Sequence, residues 1–183
     1  MKGKVHKILV AGIGNIFLGD DAFGVEVVAR LARRPLPEHV VVKDFGIRSY
    51  DLAYALMGKD GDGDEDAWKL AILVDALPRG GEPGALYTLE PELPGSGEQP
   101  STVDAHTMNP VAVLHLVSVL GGKTGRVLVV GCEPGSVEPD PEGKMGDMGL
   151  SAPVEAAVDG AVRMIEELIE EAKTRASGHT TAA

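Results

Sequence analysis

The feature that most constrains the fold is an apolar run near the start of the chain, which ends in a glycine turn and leads into a helical pattern. Residues 8–13 contain only aliphatic side chains and Gly12. Such a run is typical of a parallel strand that is covered on both faces. Residues 23–34 then repeat apolar positions at the spacing of an amphipathic helix. This strand, turn and helix predict the first unit of an α/β sheet.

Further strands and helices alternate along the chain. The patterns predict strands over residues 40–45, 69–75, 85–90 and 126–131, and helices over residues 49–57, over 108–120 and from 151 onward. The connection over residues 78–84 is too short for a crossover helix, so the fourth strand is predicted to be antiparallel. We therefore expect a three-layer α/β/α sandwich with a mostly parallel five-stranded sheet that contains one antiparallel strand. The length predicts a single domain over residues 1–176, followed by a flexible tail at residues 177–183.

Charge and composition exclude several classes of function. The net charge is −11 and the basic residues form no stripe, which disfavours a nucleic-acid partner. Cys132 is the only cysteine, so the chain has no internal disulfide and no all-thiolate metal site, and it is compatible with a reducing compartment. We find no secretory signal and no apolar run of membrane-spanning length. We expect a soluble, cytoplasmic protein with no membrane partner.

Two adjacent carboxylates, Asp20 and Asp21, follow the glycine turn where a phosphate-binding loop would have none. A dinucleotide fingerprint also needs a third glycine where Phe17 stands. Negative charge at a helix N-terminus would repel a pyrophosphate, whereas it suits a cation or a water that needs activation. Aspartate is among the best N-cap residues, so we expect one of the pair to cap the helix and to leave the other free.

Other potential ligands stand at the ends of predicted elements. Asp44 and Asp75 end the second and third strands. Ligands of open α/β sheets bind outside the carboxyl ends of the strands, so Asp21, Asp44 and Asp75 could share one crevice. His106 precedes the helix over residues 108–120 and is either an exposed loop histidine or a ligand for a borderline metal such as nickel or zinc. Asp21, Asp75 and His106 would together offer oxygen and nitrogen ligands with open coordination positions.

The acidic run over residues 60–66 is superficially similar to a calcium-binding loop. Glu65 and Ala71 stand where an EF-hand loop needs a glycine and a bidentate glutamate. We therefore expect a solvated surface loop.

Taken together, these motifs resemble the nickel-iron hydrogenase maturation endopeptidases. The resemblance runs over residues 8–168 and rests on four separated places: residues 12–25, residues 74–76, the loop with His106, and residues 131–139. It implies a single α/β/α domain that removes the C-terminal extension of the hydrogenase large-subunit precursor after nickel insertion. The family's nickel-binding positions fall on Asp21, Asp75 and His106, which we take as both the catalytic and the metal-binding residues.

The resemblance also implies how nickel takes part. The metal arrives on the precursor, held by the precursor's cysteines, and the three predicted residues complete its coordination, so the protein need not carry nickel itself. The first acidic ligand is commonly glutamate in the family, so Asp21 is shorter by one methylene, and Asp20 could partly substitute for it. A water activated by the metal or by a nearby carboxylate is the simplest nucleophile, with Asp44 as an orienting candidate. Cys132 has no histidine beside it in sequence, so we do not expect it to be the nucleophile.

Three other functions compete with this hypothesis. A nickel-handling chaperone for the large subunit would use the same ligands without cleaving the precursor. A dinucleotide-binding oxidoreductase would use Gly12 and Gly14, with Asp44 on the ribose. Peptidyl-tRNA hydrolases also open with a Gly-x-Gly-Asn turn, but a net charge of −11 opposes binding of a polyanion.

Overall fold

The structure, a computed structural model, describes residues 7–58, 68–91, 110–135 and 149–177. Four features singled out in the sequence therefore lie outside the described residues. They are the loop with His106, the acidic run over residues 60–66, the motif at residues 136–139 and the tail beyond Ser177. Predictions about these segments stay predictions.

The described part of the chain forms five strands and four α-helices. The strands are β1 (Ile8–Ile13), β2 (Val40–Gly46), β3 (Leu70–Ala76), β4 (Leu86–Leu89) and β5 (Arg126–Cys132). The helices are α1 (Phe23–Leu31), α2 (Ser49–Leu56), α3 (Pro110–Val119) and α4 (Ala152–Ser177), and a short 3-10 turn, Gly19–Ala22, joins β1 to α1. Each element corresponds to one predicted from the sequence, with small differences at the ends.

The five strands form one sheet in the order β2-β1-β3-β5-β4. β2, β1, β3 and β5 are parallel, and β4 pairs antiparallel with β5. Helices α1 and α4 pack on one face of the sheet, and α2 and α3 pack on the other. The predicted three-layer sandwich with one antiparallel strand is confirmed.

The continuous apolar run of β1 follows from burial on both faces. Ile8 and Val10 pack toward α1 and α4, whereas Leu9, Ala11 and Ile13 pack toward α2 and α3. Successive side chains of a strand point to opposite faces, so a strand between two helical layers needs apolar residues at every position. Among the described residues, no helix combines the length and the apolar character needed to cross a bilayer.

The chain order creates a topological switch point at the carboxyl ends of β1 and β3. β1 lies between β2 and β3, so the chain leaves β1 toward one side of the sheet and later returns to the other side. Ligands of open α/β sheets bind at such a switch point. Gly24 lets α1 begin against these strand ends, because a Cβ atom there would lie 2.1 Å from the Val74 carbonyl oxygen and 2.3 Å from the Ile13 carbonyl oxygen.

Candidate active site

Asp75 is a buried carboxylate near the carboxyl end of β3. Only 2% of the residue is exposed, and its Oδ1 accepts a hydrogen bond of 2.9 Å from the Ala76 N–H. Burial raises the pKa of Asp75 well above its usual range, the negative charge of Asp21 raises it further, and the Ala76 N–H opposes both effects. Asp75 therefore keeps its proton to a higher pH than an ordinary aspartate.

Asp21 reaches the same crevice from the 3-10 turn after β1. It is partly buried, and its Oδ2 accepts a hydrogen bond of 2.7 Å from the Asn15 N–H. Burial raises the pKa of Asp21, and the hydrogen bond from Asn15 partly offsets that rise. Since the charge of Asp21 also acts on Asp75, the two carboxylates are electrostatic neighbours. The structure thus brings together two of the three predicted site residues.

The third predicted residue, His106, lies outside the described residues. Within the described ranges, no three histidine, cysteine, aspartate or glutamate side chains cluster as a metal site would require. A complete three-residue ligand set therefore stays a prediction.

Asp20 has a different role from its neighbour. It is 2% exposed, its Oδ1 accepts the Ser151 N–H at 2.6 Å, and its Oδ2 accepts the Gly135 N–H at 2.7 Å. The Ser151 hydroxyl donates to the same Oδ2 at 2.9 Å. Asp20 therefore ties the start of α1 to the loop after β5 and to the start of α4. Its oxygens are engaged in these bonds, which leaves Asp21 as the better candidate ligand.

The expectation that one carboxylate of the pair caps the helix is wrong. Neither the 3-10 turn nor α1 has a side-chain hydrogen bond at its N-cap position, which is Leu18 for the turn and Ala22 for the helix. The reason is that Asp20 and Asp21 bond to Ser151, Gly135 and Asn15 instead.

The glycines of the first turn are explained by contacts within the chain. Gly14 has a φ of 134°, and a Cβ atom there would lie 1.8 Å from the Asp21 carbonyl oxygen. A Cβ atom on Gly12 would lie 2.4 Å from Val28 Cγ2 and 2.6 Å from the Gly24 carbonyl oxygen. These positions need glycine so that α1 and its leading turn can pack against the sheet.

Asp44, proposed above as an orienting residue, is exposed at the end of β2. Its Oδ1 accepts the Gly46 N–H at 2.8 Å, and the backbone of Gly46 in turn accepts a hydrogen bond of 3.1 Å from the Gly14 N–H. Asp44 therefore shapes its own turn. Within the described part of the chain, its carboxylate makes no hydrogen bond to Asp21 or Asp75.

Cys132 is fully buried at the end of β5, and its thiol donates to the Glu133 carbonyl oxygen at 3.7 Å. Burial raises the pKa of Cys132 to about 11, with a smaller contribution from the charge of Asp20. The thiol is therefore protonated near neutral pH, which agrees with the expectation that it is not a nucleophile.

Glu133 is a buried carboxylate to which the sequence analysis assigned no role. It is 4% exposed, and it accepts hydrogen bonds of 2.9–3.0 Å from the Arg79 and Gly80 N–H groups and from the Tyr87 hydroxyl. Burial alone would raise the pKa of Glu133, but the hydrogen bonds from Arg79, Tyr87 and the glycine N–H groups lower it below the usual value. The signal in the sequence was an acidic residue at the carboxyl end of a buried strand, as for Asp75.

Two neighbouring carboxylates in a partly dry crevice can bind a cation or accept a proton from a water. Comparison with known proteins identifies the kind of enzyme that carries them. Residues 25–168 match the family model described as hydrogenase maturation protease. The chain belongs to this family.

Similar proteins agree with the family match. A putative hydrogenase maturation protease of Methanocaldococcus jannaschii is 37% identical over 165 residues, which are 88% of this chain and 96% of that protein. The coenzyme F420 hydrogenase subunit delta of Methanothermobacter thermautotrophicus is 33% identical over 87% of this chain and 92% of its own length. The solved hydrogenase maturating endopeptidase HybD from Escherichia coli superposes with a TM-score of 0.68 at 27% identity, covering 90% of this chain and 93% of that one.

Membership of the hydrogenase maturation proteases makes the protein a hydrolase and confirms the resemblance found in the sequence. It argues against the dinucleotide-binding and peptidyl-tRNA hydrolase alternatives. The superposition on HybD shows that the chain shares the fold of that endopeptidase.

Proposed function

We propose that this protein is the endopeptidase that removes the C-terminal extension of the nickel-iron hydrogenase large-subunit precursor after nickel has been inserted. The observation that carries the proposal is the pairing of buried Asp75 with Asp21 at the carboxyl ends of β3 and β1. Membership of the family supports protease activity. The position of the two carboxylates at the carboxyl ends of the strands supports a site that binds a ligand. The lone, buried thiol of Cys132 suits a cytoplasmic enzyme.

Nickel enters this reaction as part of the substrate. The precursor's cysteines hold the ion, and Asp21, Asp75 and His106 complete its coordination. Two carboxylates and one imidazole suit a divalent metal but hold it only modestly without a thiolate. Burial and the negative charge of Asp21 raise the pKa of Asp75, and a bound cation would offset the repulsion between the two carboxylates. A bound divalent ion supplies Lewis-acid polarisation of a nearby carbonyl group.

The chain's own carboxylates orient the reacting groups. The Asn15 N–H holds Asp21 at 2.7 Å, so one carboxylate is fixed in the crevice before the substrate arrives. Asp75, in its ionised form, accepts a proton from the attacking water. The proton then passes to the amine that leaves when the peptide bond breaks.

The test compares nickel-loaded with nickel-free large-subunit precursor and follows the mass of the precursor's C-terminus. Wild type should remove the tail only from the nickel-loaded precursor, whereas Asp75→Ala and His106→Ala should not. Asp44→Asn is the matched control, since this aspartate lies near the end of the neighbouring strand and, among the described residues, its carboxylate makes no hydrogen bond to Asp21 or Asp75. Equal cleavage of the nickel-free precursor would reject nickel as the recognition element, and tight binding without cleavage would favour a nickel-handling chaperone.

A further inference from the structure

Large apolar side chains are exposed on the loops that follow β1 and β2 and on α2. We call these five residues, each between 44% and 61% exposed, the apolar rim: Ile16, Phe17, Ile47, Tyr50 and Tyr54. A monomeric protein seldom leaves several large apolar side chains exposed together, and such groups mark interaction sites.

Backbone hydrogen bonds join the two loops to each other and to the candidate active site. The Gly14 N–H donates to the Gly46 carbonyl oxygen at 3.1 Å, which holds the loop after β1 beside the loop after β2. The next residue, Asn15, donates its N–H to Asp21 at 2.7 Å. The first loop of the apolar rim therefore begins at the residue that holds Asp21, so the rim is continuous with the proposed substrate site.

The second part of the rim follows one side of α2. Ile47, Tyr50 and Tyr54 are separated by three and four residues, so they lie on one side of the helix and the turn before it. Leu52 and Leu56 lie on the other side and are buried against the sheet and α3. The exposed aromatic residues thus form a second apolar face of α2, which does not pack against the core.

The two loops of the rim contain no acidic residue, and the exposed Asp51 borders them on α2. Residues 14–19 and 46–50 contain no aspartate or glutamate, although the chain has 28 acidic residues. The cation in these loops, Arg48, donates to the carbonyl oxygens of Phe45, at 3.0 Å, and of Asp44, and its Nε lies 3.9 Å from Asp51 Oδ2. Exposed aromatic residues with a few charged residues at their border are typical of a protein interface, which has an apolar centre and a polar periphery.

We propose that the apolar rim is the docking surface for the folded precursor protein, which covers it with an apolar patch next to the segment that is cut. This inference rests on the proposed function. A second copy of this chain would cover the edge of the sheet that carries Asp21 and Asp75 and would block the site. A protein substrate, in contrast, would contact the rim and the active site at the same time.

The test measures the Kd for nickel-loaded precursor, together with KM and kcat for tail removal. The double variant Ile47→Ser, Tyr50→Ser removes two rim side chains. The control is Val119→Ser, which removes an apolar side chain that is 67% exposed. Val119 ends α3, and the chain then enters β5, so this residue lies toward the opposite edge of the sheet. The double variant should bind about tenfold more weakly or worse, with a raised KM and an unchanged kcat. The control should stay within about twofold of wild type.

The outcomes separate the docking surface from the proposed function. If wild type cleaves the precursor and the double variant has the Kd and KM of the control, the docking surface is rejected and the proposed function stands. If wild type does not cleave, the proposed function fails, and the Kd values alone decide the docking surface. A wild-type dimer that becomes a monomer in the double variant would show that a second copy covers the rim, which also rejects the proposal. Should the double variant unfold, Tyr54→Ser replaces it in the same measurements.

Discussion

Asp20 and Asp21 are adjacent in the chain, yet their surroundings give them separate tasks. Asp20 is buried under donors from Ser151 and Gly135, and Asp21 opens toward Asp75. One carboxylate of an adjacent pair can therefore stabilise the fold while the other is available for binding or catalysis. The two substitutions below test this division.

Asp20→Ala should destabilise the fold by about 2–4 kcal/mol, because it leaves the Gly135 and Ser151 N–H groups without their charged acceptor. Ser151→Ala removes only the hydroxyl bond and should cost about 0.5–1.5 kcal/mol. Urea unfolding measures both values. Equal losses for the two variants would mean that the backbone bonds to Asp20 contribute little.

Asp75→Asn should lower the rate of tail removal by about 10²-fold or more, because an amide cannot accept the proton. It should also raise the melting temperature of the metal-free protein at neutral pH. The folded pKa of Asp75 is above the unfolded value, so wild type loses stability as the pH rises from the unfolded toward the folded pKa. Asparagine does not titrate, so the gain should vanish near pH 4. A gain that persists unchanged at pH 4 would contradict this explanation.

At the scale of elements, the site depends on how closely α1 approaches the ends of β1 and β3. Gly24 sits where a Cβ atom would overlap two backbone carbonyl oxygens. Any residue with a side chain would therefore overlap the backbone of the strands at this point. The contact sets the position of the turn that carries Asp21.

Gly24→Ala should lower the free energy of unfolding by about 2–3 kcal/mol or more, since α1 must move away from the strands to make room. The control is Gly121→Ala, where φ is 69° and nothing lies within 4 Å of the added carbon. That variant has only backbone strain and should cost about 1–2 kcal/mol. Thermal or urea unfolding compares the stabilities of the two variants. The rate of tail removal by the Gly24 variant should fall by more than its loss of stability explains. Equal effects of both variants would refute the close-approach argument.

At the scale of the whole molecule, Asp21, Asp75 and the apolar rim lie toward one edge of the sheet. The parallel strands direct their carboxyl ends to this edge, so a protein that approaches there meets both. This arrangement agrees with the proposed function, in which the enzyme recognises a metal ion that its substrate carries.

Nickel alone should therefore bind weakly to the isolated protein, and its affinity should rise with pH, because Asp75 must release its proton before it can act as a ligand. Calorimetry with nickel chloride at several pH values measures this, with Asp75→Ala and His106→Ala as comparisons. Tight, pH-independent binding that survives both substitutions would show that nickel is held elsewhere.

Much of this architecture is readable from local patterns. The strands and helices follow from periodicity, and the short connection before β4 predicts its antiparallel direction, because neither property needs knowledge of distant contacts. Asp21 and Asp75 could be chosen because each stands at a strand end or turn. The motifs that contain them, together with the loop that contains His106 and residues 131–139, indicated the family.

Only the tertiary structure decided what each carboxylate does. Asp20 bonds to Ser151 across 131 residues, and Glu133 bonds to the Arg79 N–H across 54. The raised pKa of Asp75 depends on burial between two helical layers and on the charge of Asp21. Burial, charge proximity and donor geometry arise when distant segments pack, so one-dimensional patterns identify the acidic residues and three-dimensional packing assigns their roles.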